Sequence, residues 1–267
     1  MLEEKQEVLK EIAKDLYDDL GRPSAACAGE TLSLVPRAVK AALAPLEQWI
    51  LQREYNVAET KKLLEEKLKN VSPEDIEPPE AHIAVPAMQY ISYCMDNTEL
   101  RNMYANLLAN SMTKVVKNGV HPGFVEIIKQ MSPDEARVMR YMQAHRMIPI
   151  IIVSYKKKPG GLVRIVSDFS DIGYKAECGC DRPKDIQLYF DNLIRLGLLE
   201  KVTTAHFTDQ SVYEPLKQRL YGLSMIDYQA AHTDPYTGIK FDQGYIKISS
   251  YGNSFCSICM DGPETHT

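Results

Sequence analysis

Apolar residues recur at three- and four-residue spacing in residues 185–201, DIQLYFDNLIRLGLLEK, where Ile186, Tyr189, Phe190, Leu193, Ile194 and Leu196 trace one helical face. Gly197 then supplies a left-handed C-cap, and Leu198-Leu199 open an extended apolar run. The pattern predicts a helix, a glycine stop and an immediate strand. That is the joint between the third helix and the wing of a winged-helix unit, a module that binds nucleic acid, binds protein or braces a larger chain.

Upstream the periodicity is helical throughout. Residues 2–20 read as an acidic amphipathic helix with Leu2, Val8, Leu9, Ile12, Leu16 and Leu20 on its stripe, ended by Gly21 and Pro23. Residues 24–50 are alanine-rich and interrupted by Pro36 and Pro45. They suit a core or interface helix, since Glu30, Arg37, Lys40 and Glu47 make a lipid setting costly. Residues 56–70 predict a charged helix burying Leu63, Leu64 and Leu68, and Ser72-Pro73-Glu74-Asp75 a capped helical turn. Residues 84–117 predict one helix broken at Asp96-Asn97, or two helices, with Thr98–Arg101 as a capping start. The face of Leu100, Met103, Tyr104, Leu107, Leu108, Met112 and Val115 is wide enough to require burial from several sides, in a bundle or a dimer interface. A short helix follows around residues 124–129.

At Ser132 the grammar changes. Ser132-Pro133-Asp134-Glu135 predicts a capped helix to about His145, burying Ala136, Val138, Met139 and Met142. Residues 148–155 and 162–166 are β-branched runs around Lys156-Lys157-Lys158-Pro159-Gly160-Gly161, which predicts a β-hairpin with a basic tip. Residues 198–204 and 244–249 read as strands, 209–220 as a helix on Tyr213, Leu216 and Leu220, 233–238 as turn, and 250–260 as a last helix with Phe255, Ile258 and Cys259 inward. The expected fold is mainly α with a smaller α+β part: a multi-helix domain over 1–131, with a candidate oligomerisation surface, then a winged-helix-like domain over 132–267 with an inserted β-hairpin.

Charge adds one exclusion. The 267-residue chain carries a formal net charge of −5; residues 1–131 hold 15 basic and 20 acidic side chains, and the remainder 16 of each. Neither half has the positive balance of a non-specific nucleic-acid binder. Met1-Leu2-Glu3-Glu4 opens on charge and no stretch nears 18 apolar residues, so a secretory signal and an ordinary transmembrane helix are not expected. Six cysteines are too few for a disulfide scaffold, and a reducing cytoplasm is the expected compartment.

Candidate chemistry is sparse. Cys178, Cys180, Cys256 and Cys259 could supply four thiolates to zinc, but the first pair is CxC and the second sits in an apolar helix, so no metal or cofactor is expected. Asp168 with Asp171, and Asp181 with Asp185, are cation candidates that read more simply as caps or solvated acids. His121 before proline reads as a turn residue, while His206 and His232 could meet Asp209 or Asp234. The chain contains neither GxGxxG nor a Walker A sequence. Candidate partner-binding residues are Lys156, Lys157 and Lys158 at the hairpin tip, and Arg182, Lys184, Gln187, Asn192 and Arg195 around the 185–196 helix, where Asp185 and Asp191 oppose phosphate.

Several stretches together resemble the Abi-alpha, or abortive-infection-associated, family: NMYANLLANSM (102–112), VHPGFVEIIKQMSPDEARVM (120–139), YFDNLIRLGLLE (189–200) and ISSYGNSFCSIC (248–259). The matching positions are Asn106, Leu107, Leu108, Ala109, His121, Pro122, Phe124, Asp191, Asn192, Leu193, Leu196, Gly197, Gly252 and Phe255. The resemblance implies a bacterial cytoplasmic protein connected with phage defence, and it brings no established catalytic set. The expected function is therefore non-enzymatic, a binding or sensor role through protein–protein contacts and homo-oligomerisation. The alternatives are DNA or RNA binding by the winged-helix unit and membrane perturbation by residues 24–50.

Overall fold

The structure, a computed structural model, describes residues 37–41 and 54–263. Residues 37–41 are helical, and the helix expected over 2–20 and the rest of 24–50 lie outside the described residues. The chain separates into two compact units: the residues up to Gln130 together with those from Ser257, and Met131–Cys256. A mainly helical N-terminal region is thus followed by a domain built on an antiparallel sheet.

The helical unit contains α1 (Glu54–Leu68), α2 (Ala81–Ile91), α3 (Thr98–Ser111) and α4 (Gly123–Lys129). α3 is its centre, packed by α1, α2 and α4 and buried at every residue from Met103 to Ser111. The expected face is buried within the unit from Leu100 to Met112, while Val115 lies beyond the helix and is exposed, which corrects that position. Asn97, rather than Thr98, caps α3 by accepting the Leu100 N–H at 3.0 Å. Ser72 makes no side-chain cap to the 3₁₀ turn Pro73–Asp75, so that expectation is corrected. Asn106 and Asn110, one turn apart on α3, hold the C-terminal segment: Asn106 donates to the Cys259 carbonyl at 3.1 Å, and Asn110 to those of Ile258 and Asp261 at 2.8 and 3.0 Å.

The second unit runs α5 (Pro133–His145), β1 (Met147–Lys157), β2 (Leu162–Phe169), α6 (Ile186–Arg195), β3 (Leu199–Val202), α7 (Glu214–Gly222), α8 (Tyr228–Ala231), β4 (Tyr236–Ile248) and α9 (Ser250–Phe255), the last continued by a π-helical turn, Cys256–Met260. The four strands form one antiparallel sheet in the order β2-β1-β4-β3. Ile151, Val153 and Tyr155 of β1 join Val166 and Phe169 beneath Tyr213, Leu216, Leu220 and Ile226. The alternate residues Ile148, Ile150 and Ile152 are buried on the opposite face of the pleat. Tyr213 ties the β3–β4 connection to the sheet, donating to the Gly244 carbonyl and accepting from Phe207 N–H, each at 3.0 Å.

One sequence expectation is corrected here. β4 begins at Tyr236 and pairs along the whole of β1, so residues 236–238 are strand rather than turn. Between β3 and β4 lie α7, which overlaps the helix expected over 209–220, and α8.

The α6–β3 joint is a complete Schellman motif. Gly197 adopts φ +77°, its N–H donates to Ile194 O, and Leu198 N–H donates to Leu193 O, both at 2.9 Å. Ser249 locks this corner by donating to the Gly197 carbonyl at 2.5 Å and capping α9 through Gly252 N–H at 2.8 Å. α9 lies so close to the joint that a Cβ on Gly252 would press on the Leu198 carbonyl oxygen and come within 2.9 Å of Ile248 Cγ2. Gly252→Ala is accordingly expected to cost about 1–3 kcal/mol in urea unfolding, as overpacking does. At Gly119 an added Cβ meets only an ordinary contact, so Gly119→Ala should stay within about 1 kcal/mol of wild type.

Candidate functional site

The Ser132 start of α5 is a capping box: Ser132 Oγ accepts from Glu135 N–H at 3.3 Å, while the Glu135 carboxylate accepts the Ser132 N–H. Asp134, in the same first turn, points inward and is 5% exposed. Its Oδ1 accepts from Arg137 Nη1 at 2.6 Å and Asp181 N–H at 2.9 Å. Its Oδ2 accepts from Arg182 N–H and the Tyr189 hydroxyl, both at 2.9 Å. One carboxylate thus fastens α5, the loop before α6, and α6 itself. Burial opposes ionisation of Asp134, but the two backbone N–H groups, Tyr189 and Arg137 outweigh it and hold the carboxyl below its ordinary value. Tyr189 responds in the opposite sense: burial and its bond to Asp134 push it up to about 12.

The fastened loop carries Cys178-Gly179-Cys180. Gly179 adopts φ +65°, and the two Sγ atoms are 3.3 Å apart. With Cys180 as donor, the contact draws the Cys178 thiol below its ordinary value, while the same bond and burial push Cys180 up. Arg137 spans this region by also donating to Asp181 Oδ2 at 2.6 Å.

The candidate partner-binding residues fall into two groups. Lys156, Lys157 and Lys158 are exposed at the end of β1, with Lys158 3.5 Å from Asp234. Around α6, Arg182 pairs with Asp185 at 3.3 Å, Lys184 is exposed, and Gln187 is half-buried. Asn192 donates to Glu135 Oε1 at 2.7 Å and accepts from Arg195 Nε and Nη2 at 3.1 and 2.6 Å. Asn192 and Arg195 therefore extend the capping box of α5 across to α6.

Each carboxylate of the cation candidates faces a cationic side chain. Asp168 pairs with Lys201 at 2.8 Å, Asp171 with Lys175 at 3.6 Å, Asp181 with Arg137 and Asp185 with Arg182. Among the described residues no group of three or more His, Cys, Asp or Glu side chains is arranged to hold a metal, and the four-thiolate set of Cys178, Cys180, Cys256 and Cys259 is not assembled. His121 Nδ1 accepts from Gly123 N–H at 3.0 Å, a turn-forming contact. His232 Nδ1 lies 2.8 Å from Tyr228 O, and Arg101 donates to Met95 O at 2.8 Å. No described helix is long and apolar enough to cross a membrane.

Sequence reasoning missed the role of Asp134, Arg137 and Tyr189. The first-turn carboxylate was legible as a helix-dipole partner, but its bonds reach 47 to 55 residues along the chain.

A family model described as "Abortive infection alpha" matches residues 52–259. A solved structure of an uncharacterised protein from the marine bacterium Alcanivorax borkumensis SK2 is similar at 16% identity and TM-score 0.36, covering 52% of this chain and 92% of that one. No curated protein matches the chain.

Held below its ordinary value, the Asp134 carboxyl contributes fully above the unfolded-state value of about 3.9, and that contribution disappears as pH falls through the lower folded value. Asp134→Asn should cost about 2–4 kcal/mol at neutral pH, because it turns an amide toward the donors and removes the charge opposite Arg137. Urea titrations from neutral pH down through the carboxylate range should also give a flatter stability profile for the variant than for wild type.

Proposed function

Because the chain belongs to the abortive infection alpha family, we propose that it serves phage defence as a non-enzymatic binding or sensor protein, engaging a protein partner through α6 of a winged-helix-like unit. The winged-helix reading is supported by connectivity: helix α5, strand β1, helix α6, then β3 and β4, with β4 lying between β1 and β3. β2 is then an extra strand beside β1, and α7 with α8 replace a simple wing loop.

The observation that favours a protein partner is the outer line of α6. Lys184, Leu188, Asp191 and Arg195 follow helical spacing and are all exposed, Leu188 to 62%. A large apolar side chain among charges of both signs suits a protein interface, with an apolar centre and a polar rim. The same line suits phosphate poorly, since Asp191 is acidic, Arg182 is paired with Asp185, and Arg195 is bonded to Asn192.

Leu188→Glu is expected to lower phage protection in a plaque assay on the order of 30-fold, the equivalent of a ~2 kcal/mol interface anchor, with stability changed by no more than about 0.5 kcal/mol. Replacing Lys156, Lys157 and Lys158 together by Glu should leave protection intact. The reverse pattern, together with salt-sensitive DNA or RNA binding, would transfer the function to a nucleic-acid partner.

A further inference from the structure

The loop that delivers Asp181 and Arg182 to Asp134 begins with two thiols that the binding reading does not use. Cys178 is buried and Cys180 half-buried, with their sulfurs already in contact at 3.3 Å. Two residues of extended chain span at most about 7 Å. The left-handed turn at Gly179 shortens that span, bringing the pair within the roughly 4.4–6.8 Å Cα range that a disulfide bridges. Arg137 runs beside the turn, its Cδ 4.0 Å from where a Gly179 Cβ would stand. A neighbouring guanidinium favours the thiolate form of the pair.

We propose that Cys178 and Cys180 are a thiol–disulfide exchange site that accepts a small aliphatic disulfide and ends as an intraloop Cys178–Cys180 disulfide. Both sulfurs start as thiols. The more exposed Cys180 sulfur gives its proton to solvent and attacks the incoming disulfide. A Cys180–SR bond forms, the RS–SR bond breaks, and the departing thiolate takes the proton from Cys178. The Cys178 thiolate, already against Cys180 Sγ, then attacks it, and the second RS⁻ leaves. The protein loses two electrons and the small disulfide gains them, leaving two small thiols in place of one disulfide. Because Asp181 and Arg182 follow Cys180 directly, closing the disulfide draws on the backbone that donates to Asp134.

The full chain treated with oxidised glutathione, alkylated and mapped by mass spectrometry will yield a peptide spanning 178–180 that is lighter by two hydrogens, with neither glutathione nor alkyl groups. Dithiothreitol will restore it. Cys178→Ser will trap glutathione on Cys180, with occupancy raised roughly tenfold over wild type because the resolving thiol is gone. Cys180→Ser will carry little adduct, since Cys178 is buried. A stable glutathione adduct on wild-type Cys180, or both thiols still alkylatable after half-buried Cys94 has reacted, would overturn the proposal. Should either serine variant fail to fold by circular dichroism, the mass of the wild-type peptide decides alone: two hydrogens lost supports the site, and no loss rejects it.

Discussion

A buried carboxylate must be matched on every lone pair or it destabilises the fold that encloses it. Asp134 meets that demand with four donors from three places: Arg137 on its own helix, the Asp181 and Arg182 backbone in the loop, and Tyr189 on α6. The consequence is geometric. With donors on both oxygens, α6 has one orientation against α5, and the loop before α6 has one path. The Glu135–Asn192–Arg195 chain joins the same first turn of α5 to the next turn of α6.

The rest of the domain inherits that orientation. α6 ends in the Gly197 Schellman motif, so the direction of β3 follows from the direction of α6. β3 pairs with β4, and β4 pairs along the full length of β1. Ser249 and the close approach at Gly252 return α9 to the same corner. Residues 203–235 cover one face of the sheet through Tyr213, Leu216 and Leu220, which lets α7 and α8 replace a short wing without exposing the core. What stays outside is the Leu188 line of α6, and that is why the binding reading rests there.

Much of this was legible wherever the determining interactions are local. The Ser132 capping box lies within four residues, and the helix from 186 and its glycine stop follow from 3.6-residue spacing and one positive φ. Legibility ended where a side chain chooses a distant partner. Asn192 and Arg195 have the residue types of a reading helix, yet they bond to each other, and Asn192 bonds to Glu135. The acidic pairs resembled cation ligands, yet each carboxylate faces a lysine or arginine that spacing does not reveal. Turn-forming residues at 233–238 hid the start of β4, because register along β1 overrides local preference at Tyr236. The family assignment extends over 52–259.

The most direct test of the Asp134 account is native-state hydrogen exchange at the Asp181 and Arg182 amides. Both lie in a surface loop and, without the carboxylate, would exchange at loop rates. The account predicts protection comparable to the amides of β1 and β4, which open only with the unfolding of the domain. Protection no greater than that of the Lys156–Lys158 tip would contradict it.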